Sequence, residues 1–202
     1  MVRVGEVNPA EAREVDSSRY PPNLSEAGFV QPCPRRIRAM RDGAIVLDTL
    51  SASYVWEVPH YPAYYVPVED VDPAVVALES TQAFETGPFA GLVHVAWDAV
   101  DSWFEEDEEV YGGHPRSPYA RVDAIRSSRH IRVESGGVVL AESAAPVSGK
   151  AHRDIAWSYS HPNVAVAAIA GLVAFYDERV DTFLDGVPVT RPRTKFHGED
   201  ES

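Results

Sequence analysis

Arg36-Ile37-Arg38-Ala39-Met40-Arg41-Asp42-Gly43-Ala44-Ile45-Val46-Leu47-Asp48-Thr49 returns 94 residues later (130 minus 36), without a gap, as His130-Ile131-Arg132-Val133-Glu134-Ser135-Gly136-Gly137-Val138-Val139-Leu140-Ala141-Glu142-Ser143. Each copy alternates around a two-residue break, Asp42-Gly43 in the first and Gly136-Gly137 in the second. Such pairs suit a type I′ turn, whose two central residues both take positive φ. Two β-hairpins are therefore expected, with Ile37, Ala39, Ala44 and Val46 on one face of the first. The first copy runs on into Tyr54-Val55-Trp56-Glu57-Val58-Pro59-His60-Tyr61-Pro62-Ala63-Tyr64-Tyr65-Val66-Pro67. The second, at Ala144-Ala145-Pro146-Val147-Ser148-Gly149-Lys150, lacks that aromatic continuation. The pattern points to one sheet assembly built from two partial units.

Working outward, residues 1–34 are polar and punctuated by proline, which predicts an N-terminal arm, extended or partly disordered. Tyr54–Val58 is rich in aromatic and β-branched residues and reads as a strand. Pro59, Pro62, Pro67 and Pro73 bracket short extended pieces, as at sheet edges and corners. Asp70 is expected to cap the turn into Val71-Asp72-Pro73. Trp97, Val100 and Phe104 recur at helical spacing, with Asp98, Asp101, Glu105 and Glu108 on the other side. That spacing predicts an amphipathic helix over 97–110. Asp154–Tyr159 reads as a strand, and His161-Pro162-Asn163 as the start of a short helix through Ala168. Gly171–Tyr176 and Arg179–Leu184 read as closing strands, with Asp185-Gly186 as a hairpin turn. The fold class expected is mainly β, with a minor helical part. The domain expectation is a single composite β domain over 35–195: unit one at 35–75, a connecting segment with the helix at 76–129, and unit two at 130–195. An acidic tail follows at 196–202.

The chain has 202 residues, 45% of them hydrophobic, enough for a real core. Its net charge of −13 argues against nucleic acid or an anionic membrane as partner, since both demand clustered Lys and Arg. The single cysteine, Cys33, excludes an internal disulfide and a multi-thiolate metal site. The seven histidines show no His-x-His or His-x-x-x-His pair, so no metal and no cofactor is expected. Glycine-loop phosphate motifs and a Gly-x-Ser-x-Gly elbow are missing from the sequence. No apolar run approaches membrane-spanning length, and a reducing, cytoplasmic setting is the expectation.

Several motifs together resemble one family. Trp56-Glu57, Tyr64-Tyr65-Val66-Pro67-Val68-Glu69-Asp70-Val71, Ala156-Trp157-Ser158-Tyr159 and Ile169-Ala170-Gly171-Leu172-Val173-Ala174-Phe175-Tyr176 resemble the signature pieces of the DUF427 (NTP_transf_9-type) domain. Its function is uncharacterised. The likeness spans roughly 36–195 and is nearest to the duplicated form typical of actinobacteria, whose linking region resembles Trp97–Glu108 and Ser127–His130. The resemblance implies a β-tent-like fold, two antiparallel sheets meeting along one edge. This chain departs from the family in lacking a Cys-Pro-Tyr-Lys-Gly stretch, and in lacking the Trp-Glu and Tyr-Tyr-x-Pro part in its second unit. Roles tied to those residues do not transfer.

Two clusters carry the chemistry on offer. Trp56, Glu57, His60, Tyr61, Tyr64 and Tyr65 set a carboxylate, an imidazole and phenols within ten residues, able to bind a small organic ligand and move protons. Aromatic walls are expected to raise the Glu57 pKa. Trp157, Tyr159 and His161 lie at alternate positions and, in a composite tent, line the same cavity. The competing reading makes the aromatics core and Glu57 a backbone cap or an Arg partner. Arg126, Arg129 and His130 form a basic island, either an anion holder or partners of the acidic segment. The expected catalytic residues are Glu57, His161 and Tyr65, and the expected ligand-binding residues are Trp56, His60, Tyr64, Trp157, Tyr159 and Arg129. The function expected is a cofactor-independent enzyme acting on a small organic molecule by acid–base chemistry, of cyclase, isomerase or hydrolase type, in secondary metabolism. The alternatives are a non-catalytic small-ligand or peptide binding module and an assembly subunit, a homodimer paired through edge strands.

Overall fold

The computed structural model describes residues 12–16, 24, 26–119, 125–144, 147–148, 156–158, 170–177 and 179–191. They fall into two compact units, one within residues 1–16 and 22–120 and the other within 17–21 and 121–202.

In the N-terminal unit the strands are β1 (Arg13–Glu14), β2 (Phe29–Pro32), β3 (Ile37–Arg41), β4 (Ala44–Thr49), β5 (Ser53–Val58), β6 (Tyr61–Pro67), β7 (Thr81–Ala83), β8 (Leu92–Val95), β9 (Ser102–Glu105) and β10 (Glu108–Val110). They make a six-stranded sheet in the order β1-β2-β5-β6-β8-β7 and a four-stranded sheet in the order β10-β9-β3-β4. Except for β1 with β2, neighbours in both sheets run antiparallel. Residues 13–14 and 29–32 of the expected arm are thus sheet strands. Ile37, Ala39 and Leu47 of the smaller sheet share one core with Tyr54, Trp56, Tyr64, Val66 and Val93 of the larger. Trp56 and Trp103 are essentially sealed from solvent. Burying a Val, Leu, Ile, Phe or Met side chain in such a core stabilises by about 1.5–3 kcal/mol. A second cluster, Val55, Tyr65 and Phe89, lies on the other face of the larger sheet, because neighbours along a strand point to opposite sides.

The fold is mainly β with open antiparallel sheets, as expected. The helix is displaced. Residues 97–110 are a 3-10 turn at Trp97–Ala99 followed by the β9–β10 hairpin. Trp103 and Glu105 point inward and are buried, while Ser102 and Phe104 are half-buried, which is a period of two. Pairing of β9 with β3 overrides the helical spacing. The α-helix among the described residues is the single turn α1 (Pro73–Val76), with Asp72 accepting from the Ala74 N–H at 2.7 Å. The cap is therefore Asp72. Asp70 instead accepts the Thr49 hydroxyl at 2.6 Å.

The C-terminal unit contains β11 (Ile125–Arg126), β12 (Ile131–Ser135), β13 (Val138–Ser143), β14 (Val147–Ser148), β15 (Ala156–Ser158), β16 (Val173–Phe175), β17 (Asp181–Leu184) and β18 (Val187–Pro188). One sheet runs β13-β12-β17-β18; β11 pairs with β14, and β15 with β16. The expected strands around Trp157, Val173 and Asp181 form, whereas the expected helix at 161–168 lies outside the described residues.

Internally, the two units repeat one another beyond the hairpin. Asp42 and Gly43 have φ of 52° and 76°, and Gly136 and Gly137 have φ of 57° and 78°, as the turn type demands. Both hairpins carry a register shift at the same place, Ala39/Met40 and Val133/Glu134. Each is flanked by a closing hairpin, with Ile37 opposite Glu105 and Ile131 opposite Leu184. Arg38 lies over the Phe104 ring as Arg132 lies over Phe183. Glu106, at φ 52°, exchanges bonds with Arg36: its N–H donates to the Arg36 carbonyl and its carboxylate accepts the Arg36 N–H. Asp185, at φ 53°, does the same with His130. Acidic side chains that grip the adjacent strand start hold these left-handed positions.

Candidate functional site

Strand β6 divides the predicted aromatic cluster between the two faces of the larger sheet. Tyr64 pairs with Tyr54 and points into the core, where its hydroxyl donates to Glu105 Oε1 at 2.5 Å. Trp56 is fully buried on that same side, 6.0 Å from the Tyr54 ring centroid. Both predicted ligand contacts, Trp56 and Tyr64, are core residues. Tyr65 faces the other way and pairs with His94 of β8. A register shift in β5 between Val55 and Val58 brackets Glu57.

Three side chains converge there. The Tyr65 hydroxyl donates to Glu57 Oε1 at 2.9 Å, and His94 Nδ1 lies 3.1 Å from the same oxygen. Glu57 Oε2 has no hydrogen-bond partner among the described residues. The Tyr65 ring stacks with His94, whose plane is 5° away with centroids 5.3 Å apart, and with Phe84, tilted 23° at 5.2 Å. Phe89 closes a third side at 4.8 Å. The Glu57 side chain is 14% exposed and that of His94 is 24% exposed, so the polar end of the cluster reaches solvent.

Burial pushes the Glu57 carboxyl up, but the hydrogen bond and charge of His94 and the Tyr65 hydroxyl outweigh it. The net direction is down, opposite to the sequence expectation, because the aromatic walls bring two donors with them. Tyr65 is driven far above the ordinary phenol range by burial and by the Glu57 charge, and stays neutral. A carboxylate only accepts, so a hydrogen bond across this contact places the proton on His94 Nδ1, and a neutral ring in that tautomer keeps its lone pair on Nε2.

Of the other predicted residues in this unit, His60 does not join the cluster among the described residues. His60 occupies the β5–β6 turn at φ 71° with an exposed side chain, and its backbone N–H donates to the Leu24 carbonyl. Arg129 donates from Nε to Asp185 Oδ2 at 3.0 Å, and His130 Nε2 lies 2.9 Å from Glu142. Trp157 sits in β15, opposite Ala174 of β16. Tyr159 and His161 lie outside the described residues. Among the described residues no group of His, Cys, Asp or Glu is arranged to hold a metal ion. No described helix is long and apolar enough to cross a membrane. Sequence reasoning missed His94, Phe84 and Phe89. The available signal was the alternation Leu92-Val93-His94-Val95, which turns His94 away from two core valines.

A family model described as a domain of unknown function, DUF427 (NTP_transf_9), matches residues 29–106 and 144–186. Two matched segments are what a split or duplicated copy of that domain gives. No curated protein and no solved structure matches the chain.

Proposed function

We propose that this chain, which belongs to the DUF427 family, is a cofactor-independent enzyme that acts on a small organic molecule by acid–base chemistry, as a cyclase, isomerase or hydrolase does. The observation that carries this reading is the contact between His94 Nδ1 and Glu57 Oε1. Held in that way, His94 offers Nε2 as a base, takes a proton from the substrate and returns it later. Glu57 acts on the ring rather than on the substrate. Its charge fixes the ring's orientation and stabilises the imidazolium once formed. Tyr65 supports Glu57 from the far side and stacks against His94, so the ring has little freedom to turn. The catalytic base of this reading is thus His94, with Glu57 and Tyr65 as positioning residues.

A generic base probe tests it without knowledge of the natural substrate. 5-Nitrobenzisoxazole opens when a base removes its C–H proton. The wild-type protein should accelerate that opening beyond free imidazole at equal concentration. His94→Gln should lower the rate by about 10²-fold, the low end for a positioned base. A rate unchanged in a folded His94→Gln protein removes the reading.

A further inference from the structure

The Glu57 carboxylate is half used. The Tyr65 hydroxyl and His94 Nδ1 both meet Oε1, and Oε2 is without a partner among the described residues. No Arg or Lys among them pairs with Glu57 either, so its charge is balanced by His94 at most. A carboxylate at a partly desolvated position, lacking a full counterion, attracts a cation and repels an anion more strongly than it does in water. Beside it the Tyr65 ring stacks in near-parallel planes with Phe84 and with His94. His94 is the more open of the two polar groups. A flat ligand extends such stacking on the His94 ring, and a cationic one gains from the ring faces as well. When its ring is neutral, His94 adds an acceptor at Nε2. The net charge of −13 favours encounter with cations over the whole molecule.

We propose that the Glu57–His94 site takes a planar, N–H-bearing cation of the amidinium or protonated amino-heteroaromatic class, its N–H donating to Glu57 Oε2 and its plane stacked on His94. The proposal rests on the same cluster as the base reading but not on turnover. It gives that site a substrate class: nitrogenous and cationic, with anionic acids excluded by the carboxylate.

Three isosteres separate the possibilities: benzamidinium, benzamide and benzoate share one shape and differ in charge and donors. Binding of each to the full chain is measured by calorimetry, together with ligand-induced NMR shifts of the His94 and Tyr65 ring protons. Benzamidinium should bind at least about ten-fold more tightly than benzoate, a difference of about 1.4 kcal/mol, and should shift both rings. Glu57→Gln should reduce that preference to less than about two-fold, because it removes the charge and keeps the shape. The wild-type ranking decides the matter even if the variant fails to fold. Equal binding of all three, a preference for benzoate, or no binding of any at millimolar concentration overturns the proposal. The benzisoxazole assay on the same protein then reports separately whether the base reading stands.

Discussion

His94 Nδ1 and Glu57 Oε1 meet at 3.1 Å although they come from strands that are not neighbours in the sheet. β6 lies between β5 and β8, and Tyr65 on that middle strand donates to the same carboxylate oxygen from 2.9 Å. One acidic atom therefore ties three strands together on the outer face of the larger sheet. The opposite face of those strands, with Tyr54, Tyr64 and Val93, is packed core.

The first consequence is in the acid range. Glu57 titrates below its ordinary value of 4.5, since its two donors outweigh burial. A carboxyl lowered by folding contributes stability that is present above its unfolded pKa and disappears as pH falls through the folded one. Carbon-13 NMR of the Glu57 carboxyl should show the lowered titration, and Tyr65→Phe should move it upward by removing one donor. A Glu57 midpoint at or above 4.5 in the wild-type protein contradicts this.

The alkaline limb belongs in part to Cys33. Burial pushes that thiol from 9.0 up to about 11, with the Glu105 charge adding in the same direction. The native state then keeps a proton that the unfolded chain gives up. Stability is complete below pH 9 and falls as pH rises from 9 towards 11, by about 2–3 kcal/mol across that window. Urea denaturation at pH 8, 9, 10 and 11 reads the slope, and Cys33→Ala should flatten it. A slope identical in the two proteins would assign the loss to other groups.

A third prediction comes from comparing the units. Glu105 faces Ile37 where Leu184 faces Ile131, so the N-terminal unit buries a carboxylate, 1% exposed, where its sibling has leucine. Tyr64 serves that carboxylate from 2.5 Å, and Arg35 Nε lies 3.9 Å away. Tyr64→Phe should cost about 1–3 kcal/mol by taking a donor from a buried carboxyl group. Glu105→Leu should also destabilise, because it strands the Tyr64 hydroxyl. The double variant should recover much of the loss, since neither polar group is left behind. Urea midpoints that simply add in the double variant would refute the coupling.

Much of the fold was legible because the repeat is local. The Asp42-Gly43 and Gly136-Gly137 turns set both hairpins, and Asp185-Gly186 sets the closing one, through backbone needs that neighbouring residues alone satisfy. The spacing over 97–110 reads as a helix only if its acidic residues make a wet face. Glu105 is buried, and Glu106 grips Arg36 from a left-handed turn. Nothing near residue 97 announces that β9 will pair with β3, some sixty residues earlier in the chain. The site was half legible for the same reason. Glu57 and Tyr65 sit in one aromatic stretch, but His94 reaches them through β8 register, which emerges only when the sheet assembles.

The most direct test is the protonation pattern of the His94 ring, read from nitrogen-15 NMR at a pH where the imidazole is neutral. On the proposed arrangement Glu57 accepts from Nδ1, so the shifts should show Nδ1 protonated and Nε2 bare, and Glu57→Gln should weaken that pattern. A neutral ring with its proton on Nε2 contradicts the account, because the atom assigned to take the substrate proton would already be occupied.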